Sequence, residues 1–319
     1  MEAKTGISLW VVALSLLFVV GCKKTGRHVA HPEVEAGAPD ETPKEEPPPA
    51  EEVKYESGEM SGFSYQYFPS AADAIGYIVE TTEPRILGLG EFHQQHGTVN
   101  ILSALVRFTS SLLPMIARVT SDLIVETWVA TGSCGEVEKK VTAEVDEVTE
   151  RPEATESDTL KLIKKAVSLN IQPHVLEIDC HDYQKLFQGG EEGMDYMALL
   201  QLVGQHLEAK DKKALGFRDN GEVKVKPMIT FYGGAIHNDA KPAEMWSTVS
   251  FGLGLEKAAP GRYVEVDLLV PEFIENSNLV KNEPWFPVFI ELASKDKTLL
   301  IQLTDHSYLI VFKKGVMSP

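Results

Sequence analysis

The stretch that decides the fold is Pro84 to Gly97, PRILGLGEFHQQHG. Ile86 to Leu89 form an apolar run that stops at Gly90, and Glu91, His93 and His96 follow at once. A buried strand that opens into a polar loop, with a helix after it, is how open α/β sheets present chemistry at their strand ends. The loop therefore reads as one wall of an active or ligand-binding site. What faces it must come from the rest of the chain.

Working outward, helices and strands alternate. Ahead of the loop, Ser70 is placed to cap a helix over residues 71–80, with Ala72, Ile75 and Ile78 on one face. Behind it, Ile101, Leu105, Phe108 and Leu112 keep a helical period. This predicts a helix over residues 98–120 that Pro114 kinks or splits. Asp122 to Val129, DLIVETWV, reads as a second apolar strand with Glu126 inside it. A carboxylate in such a strand costs free energy unless it is paired or used.

Residues 136–158 read as an exposed insertion or helix, and 157–170 as an amphipathic helix. Pro173 to Asp179 is a third strand, with Cys180, His181 and Asp182 directly after it. A helix over 191–213 leads to a fourth strand, Met228 to Tyr232, which ends in Gly233-Gly234-Ala235-Ile236-His237. A fifth strand over 263–270 and a terminal hairpin around Thr304 to Ser307 complete the pattern. The alternation predicts an α/β fold, a central largely parallel or mixed sheet flanked by helices, in a single domain over residues 61–319. Right-handed crossovers collect strand carboxyl ends on one edge. That edge would gather Glu91, His93, His96, Glu126, Asp179, His181 and His237.

The first residues stand apart from this domain. Lys4 precedes an apolar segment, Ile7 to Val20, that is short for a membrane span and reads as a signal peptide over residues 1–21. Its end, Val19-Val20-Gly21-Cys22, resembles the lipobox of bacterial lipoproteins. That resemblance implies a lipid on Cys22 and a membrane partner through that lipid. Lys23, where an aspartate would retain a Gram-negative lipoprotein at the inner membrane, implies the outer membrane of the cell envelope, on its periplasmic or surface face. Residues 22–60 are rich in Glu, Pro and Ala and read as a disordered acidic tether. The net charge of −17, with no compensating basic stripe, argues against nucleic acid as a partner. A small molecule or peptide ligand suits the Glu/His edge.

Imidazoles mixed with carboxylates suit two chemistries. A divalent metal ion held by His93, His237 and Glu126 could activate water. Alternatively a histidine abstracts a proton from water without a metal, and a carboxylate orients it. Each residue also has a structural reading: Glu91 and Asp179 could cap the helices that follow them. No P-loop, His-Glu-x-x-His helix or Gly-x-Ser-x-Gly elbow is present, so serine acyl-enzyme chemistry has no sequence support.

Gly90-Glu91-Phe92-His93, Glu126, and Gly234-Ala235-Ile236-His237 together resemble the motifs of the Tiki/ChaN/erythromycin-esterase-like superfamily. His96, three residues after His93, is similar to the extra histidine of ChaN-type haem-binding lipoproteins. The resemblance implies a membrane-anchored protein whose catalytic set would be Glu91, His93, Glu126 and His237, acting as a metal-dependent or metal-free hydrolase. The alternative is haem or porphyrin as the bound cofactor, which His93, His96 and the lipid anchor suggest; His96, Asp179 and His181 are then the candidate binding residues, and an exposed tyrosine such as Tyr183 or Tyr232 could serve as axial ligand. A non-catalytic surface interaction protein is a third reading. The loop departs from both subgroups: Gln94 stands where ChaN-type loops carry an acid, and the esterase loop has one more residue between Glu and His.

Besides Cys22 the chain has Cys134 and Cys180, each just after a predicted strand. In an oxidising compartment they are candidates for a disulfide between two site loops.

Overall fold

A computed structural model describes residues 55–94, 98, 100–132, 134–149, 152, 154–187, 195–219 and 226–317. The expected signal segment, Cys22, most of the expected tether and His96 lie outside the described residues. The strands are β1 (Ser57–Met60), β2 (Phe63–Phe68), β3 (Ile86–Glu91), β4 (Thr120–Thr131), β5 (Gln172–Asp179), β6 (Met228–Gly234), β7 (Tyr263–Leu269), β8 (Thr298–Thr304) and β9 (Ser307–Val311). The helices are α1 (Ala71–Thr82), α2 (Ala104–Arg107), α3 (Leu113–Ile116), α4 (Glu136–Thr149), α5 (Ala154–Ser168), α6 (Cys180–Lys185), α7 (Tyr196–Asp219), α8 (Ala235–Asn238), α9 (Gly252–Ala258), α10 (Pro271–Ile274) and α11 (Phe286–Leu292).

The nine strands of the described residues form one mixed sheet in the order β1-β2-β8-β9-β7-β3-β6-β4-β5. From β9 to β5 every neighbouring pair is parallel, and β1, β2, β8 and β9 pair antiparallel. The fold class is therefore α/β with a mixed sheet, as the alternation of elements leads one to expect. β3 and β6 lie inside the parallel half of the sheet and are buried along their whole length, which is why both read as unbroken apolar runs. One core cluster packs α1, α2 and α3 on the sheet around Ile75, Phe108 and Leu112. Another packs α7 and α9 around Leu207, Phe231 and Leu255.

Local differences from the sequence reading have physical causes. β1 starts at Ser57, inside the residues assigned to the tether, because its backbone pairs with β2. The helix expected over 98–120 begins only at Ala104, where the Ser103 side chain accepts the Val106 N–H. It then loosens into a π-helical turn, Phe108–Leu112, with the Leu113 N–H bonded to the Phe108 carbonyl. Pro114 has no N–H for the ordinary ladder, and the Thr109 and Ser111 hydroxyls donate to the Leu105 and Arg107 carbonyls nearby. Residues 180–185 form α6, capped by Asp179. Among the described residues no helix is long and apolar enough to cross a membrane.

Candidate functional site

The site lies at the carboxyl ends of β3, β6 and β4, three neighbouring strands in the parallel half of the sheet. Glu91 is the last residue of β3 and pairs with Gly234, the last residue of β6. Its carboxylate faces two partners: Oε1 lies 2.8 Å from His93 Nδ1, and Oε2 accepts a 2.5 Å hydrogen bond from the Tyr232 hydroxyl. Glu91 is buried, whereas His93 is partly exposed. Tyr232 itself is packed against Phe108, with ring centroids 4.6 Å apart, so its hydroxyl is fixed.

Glu126 forms a second pair. Its Oε1 lies 2.8 Å from His237 Nδ1, and its Oε2 accepts the Gly234 N–H at 2.6 Å. The side chain reaches this position because β4 bulges: its pairing with β5 slips between Ile124 and Trp128, around Glu126. Bulges re-aim side chains in this way near functional sites. Burial raises the Glu126 carboxyl pKa, but the neighbouring His237, its hydrogen bond, the Gly234 N–H and His93 together outweigh that and bring it down to about 2.

The two pairs meet over the glycines of β6. A Cβ on Gly233 would collide with the Glu126 side chain and with Phe231. A Cβ on Gly234 would lie 3.3 Å from His93 Nε2 and 3.5 Å from Glu126 Oε2. Close approach of both side chains to bare backbone is thus the reason for Gly233-Gly234. α8 starts at once and carries His237 in its single turn. The next residue, Asn238, is fully buried and donates to the Gly88 carbonyl at 3.2 Å, while the Tyr263 hydroxyl donates to the Asn238 carbonyl at 2.5 Å. This holds α8, and with it His237, against β3 and β7.

Around Glu91 and His93 a cavity of about 10 Å³ is lined also by Gln94, Ser103, Leu105, Thr155 and Asp158. That volume is enough for about one water molecule.

The structure thus brings Glu91, His93, Glu126 and His237 together. Asp179 and His181 stand elsewhere: Asp179, the last residue of the outer strand β5, accepts the Asp182 N–H at 2.9 Å as the cap of α6, His181 lies in α6, and both residues are exposed. The Asp182 N–H is the main cause that lowers the Asp179 carboxyl pKa. Tyr183 and Tyr232 are both buried rather than exposed, and Tyr232 is engaged by Glu91. Cys134 and Cys180 are joined by a disulfide, with Cα atoms 5.0 Å apart. Sequence reasoning missed the roles of Tyr232 and Asn238. The available signal was a tyrosine inside a fully buried strand, whose hydroxyl needs a partner.

Among the described residues no group of three or more His, Cys, Asp or Glu side chains is arranged to hold a metal ion. Each carboxylate has one oxygen on its histidine Nδ1 and the other on the Tyr232 hydroxyl or the Gly234 N–H, so the atom each histidine turns away from its carboxylate is Nε2. A metal or haem iron would meet the site through those nitrogens. The same two atoms can take up and release protons.

No protein-family model matches the chain, and neither does any curated protein. Among solved structures, the type III effector HopBA1 is 11% identical, with a TM-score of 0.37, over 75% of this chain and 92% of that one. ChaN of Campylobacter jejuni, whose structure shows cofacial heme binding, is 11% identical, with a TM-score of 0.35, over 74% of this chain and 91% of that one. Both scores lie below 0.5, so these likenesses assign neither fold nor ligand, and the α/β assignment stands on the strand order.

Proposed function

We propose that the two Glu–His pairs form the water-activating site of a hydrolase acting on an ester or amide bond. The observation that carries this reading is that each imidazole sets Nδ1 2.8 Å from an oxygen of its own buried carboxylate. Such a contact sets the tautomer and orients Nε2, and the carboxylate compensates the charge that forms when Nε2 takes a proton. His93, beside the one-water cavity, serves as general base: Nε2 takes a proton from water as the oxygen attacks the acyl carbon. His237, carrying a proton with Glu126 as its counter-charge, donates it from Nε2 to the leaving group as the acyl bond breaks, and the proton held by His93 is released to solvent, from which His237 is reprotonated. If a metal is bound, it would supply Lewis-acid activation of that water, with His93 and His237 as the residues to hold it.

A second reading, binding of haem or a porphyrin, is favoured by the same lock, because a histidine that ligates iron or another metal is ordinarily oriented through its other ring nitrogen. One set of proteins tests both. Wild type, His93→Ala and His237→Ala are assayed on chromogenic esters and peptides and titrated with haemin. The hydrolase reading expects kcat/KM to fall by about 10²–10⁴ in each variant. Equal activity in all three defeats it. A Soret shift that His93→Ala abolishes would instead support haem.

The lipobox-like Cys22 supports placing this site on a lipid-anchored protein of the bacterial envelope. Metabolic labelling with a palmitate analogue should mark the wild type and not Cys22→Ala. Labelling of both would remove the anchor.

A further inference from the structure

The sheet face beneath α1 is apolar around Phe68 and Ile310, but it turns polar toward β1. In register across four strands stand Glu59 of β1, Ser64 of β2, Gln302 of β8 and Tyr308 of β9. Gln66 lies in the next row, and Tyr77 of α1 overhangs it with 38% of its surface exposed. With the turn residues Asp305 and His306 they border a groove of about 640 Å³. That is within the size range of small-molecule sites.

The groups in this groove are poorly used by the protein itself. Among the described residues no side-chain hydrogen bond engages Ser64, Gln66 or Gln302. His306 Nδ1 is buried and lacks a partner. Ser64 is exposed to water, but Gln66 and Gln302 are half-buried, and a buried polar atom such as His306 Nδ1 carries a desolvation cost that a ligand would relieve. The chemistry on offer is specific. Amides present donors and acceptors side by side, Glu59 and Asp305 accept from hydroxyls, and Tyr77 offers a ring face with a polar tip. Among the described residues no lysine or arginine borders the groove, so its described lining does not suit an anion.

We propose that this groove binds a short neutral saccharide. It is separate from the Glu–His pairs: β8 and β2 lie three and four strands from β3 in the sheet order, roughly 14–19 Å away at about 4.8 Å per strand. The proposal therefore stands whether or not the chain is a hydrolase.

The test is saturation-transfer NMR and calorimetry on the full chain, with maltotriose, cellotriose and triacetylchitotriose as neutral probes and sialyllactose as the acidic one. Gln302→Ala and Tyr77→Ala, both at partly exposed positions, are compared with wild type, and His93→Ala serves as the control at the other site. The expected result is binding of at least one neutral probe, weakened by about tenfold or more in each groove variant and unchanged in His93→Ala. No binding of any neutral probe at millimolar concentration would overturn the proposal. So would equal affinity in the groove variants, or tighter binding of sialyllactose.

Discussion

Glu126 and Glu265 are both buried carboxyls, and their surroundings push them in opposite directions. Glu126, with His237 and the Gly234 N–H against it, falls to about 2 from an ordinary 4.5. A depressed carboxyl contributes stability that is present above the ordinary range and lost as pH falls toward 2. At neutral pH this contribution is on the order of 3 kcal/mol. Removing the partner is worse than removing the pair, because it leaves the charge buried alone. His237→Ala is therefore expected to lose about 3–5 kcal/mol in urea unfolding at pH 7, with part of it recovered in Glu126→Gln/His237→Ala. Equal losses in the single and double variants would contradict this.

Glu265 on β7 rises to about 7, driven by burial, although the Ser307 hydroxyl and the Ala240 N–H, at 2.5 Å, pull the other way. Asp267, two residues on, is pushed well above its ordinary value by burial and then by the Glu265 and Asp239 charges. Here the sign reverses. The fold favours the protonated form, so stability is full below the ordinary carboxyl range and declines as pH rises to about 7. The advantage of Glu265→Gln over wild type should grow by about 2–3 kcal/mol between pH 5 and pH 8. Denaturant unfolding at the two pH values measures it, and a constant difference would refute it.

At the scale of elements, the sequence was most informative where chemistry interrupts an apolar run. β3 with Glu91 and His93, β4 with Glu126, and β6 with its glycines before His237 are legible because polar residues cost free energy there unless they have a use. The β4 bulge was not legible, since it depends on pairing with β5. Nor was the π turn before Pro114, where a proline allows a kink, a split or a slipped ladder and only packing selects one. Asp179 reads equally as a ligand or a cap from sequence, and the N–H of Asp182 makes it a cap.

The disulfide joins the loop after β4 to the first residue of α6, across a sequence separation of 46. Closing a loop of that length restricts the unfolded chain by about 4 kcal/mol in the chain-entropy account. Cys134→Ser/Cys180→Ser should therefore unfold at a clearly lower guanidinium concentration. An unchanged midpoint would show that the crosslink contributes nothing to stability.

For the whole molecule, the parallel half of the sheet carries the Glu–His pairs, and the antiparallel half carries the polar groove. β7 and β9 join the halves by a parallel pairing. The alternation of elements pointed to the parallel half. The order of the antiparallel half was hidden, because β2 finds its partner far along the chain. That long reach has a temporal consequence. Tyr67 on β2 donates to the Leu292 carbonyl at 2.8 Å across a separation of 225 residues, and β8 follows later still. A ribosome releases the chain from its N-terminus, so the β1–β2 hairpin emerges while its neighbour has yet to be synthesised. A lone hairpin is marginal in water, and its open edge can pair with another nascent chain. The rate at which the chain emerges, from the ribosome or from an export channel, and the supply of chaperones where it emerges should then bear on how much of this protein reaches its native sheet.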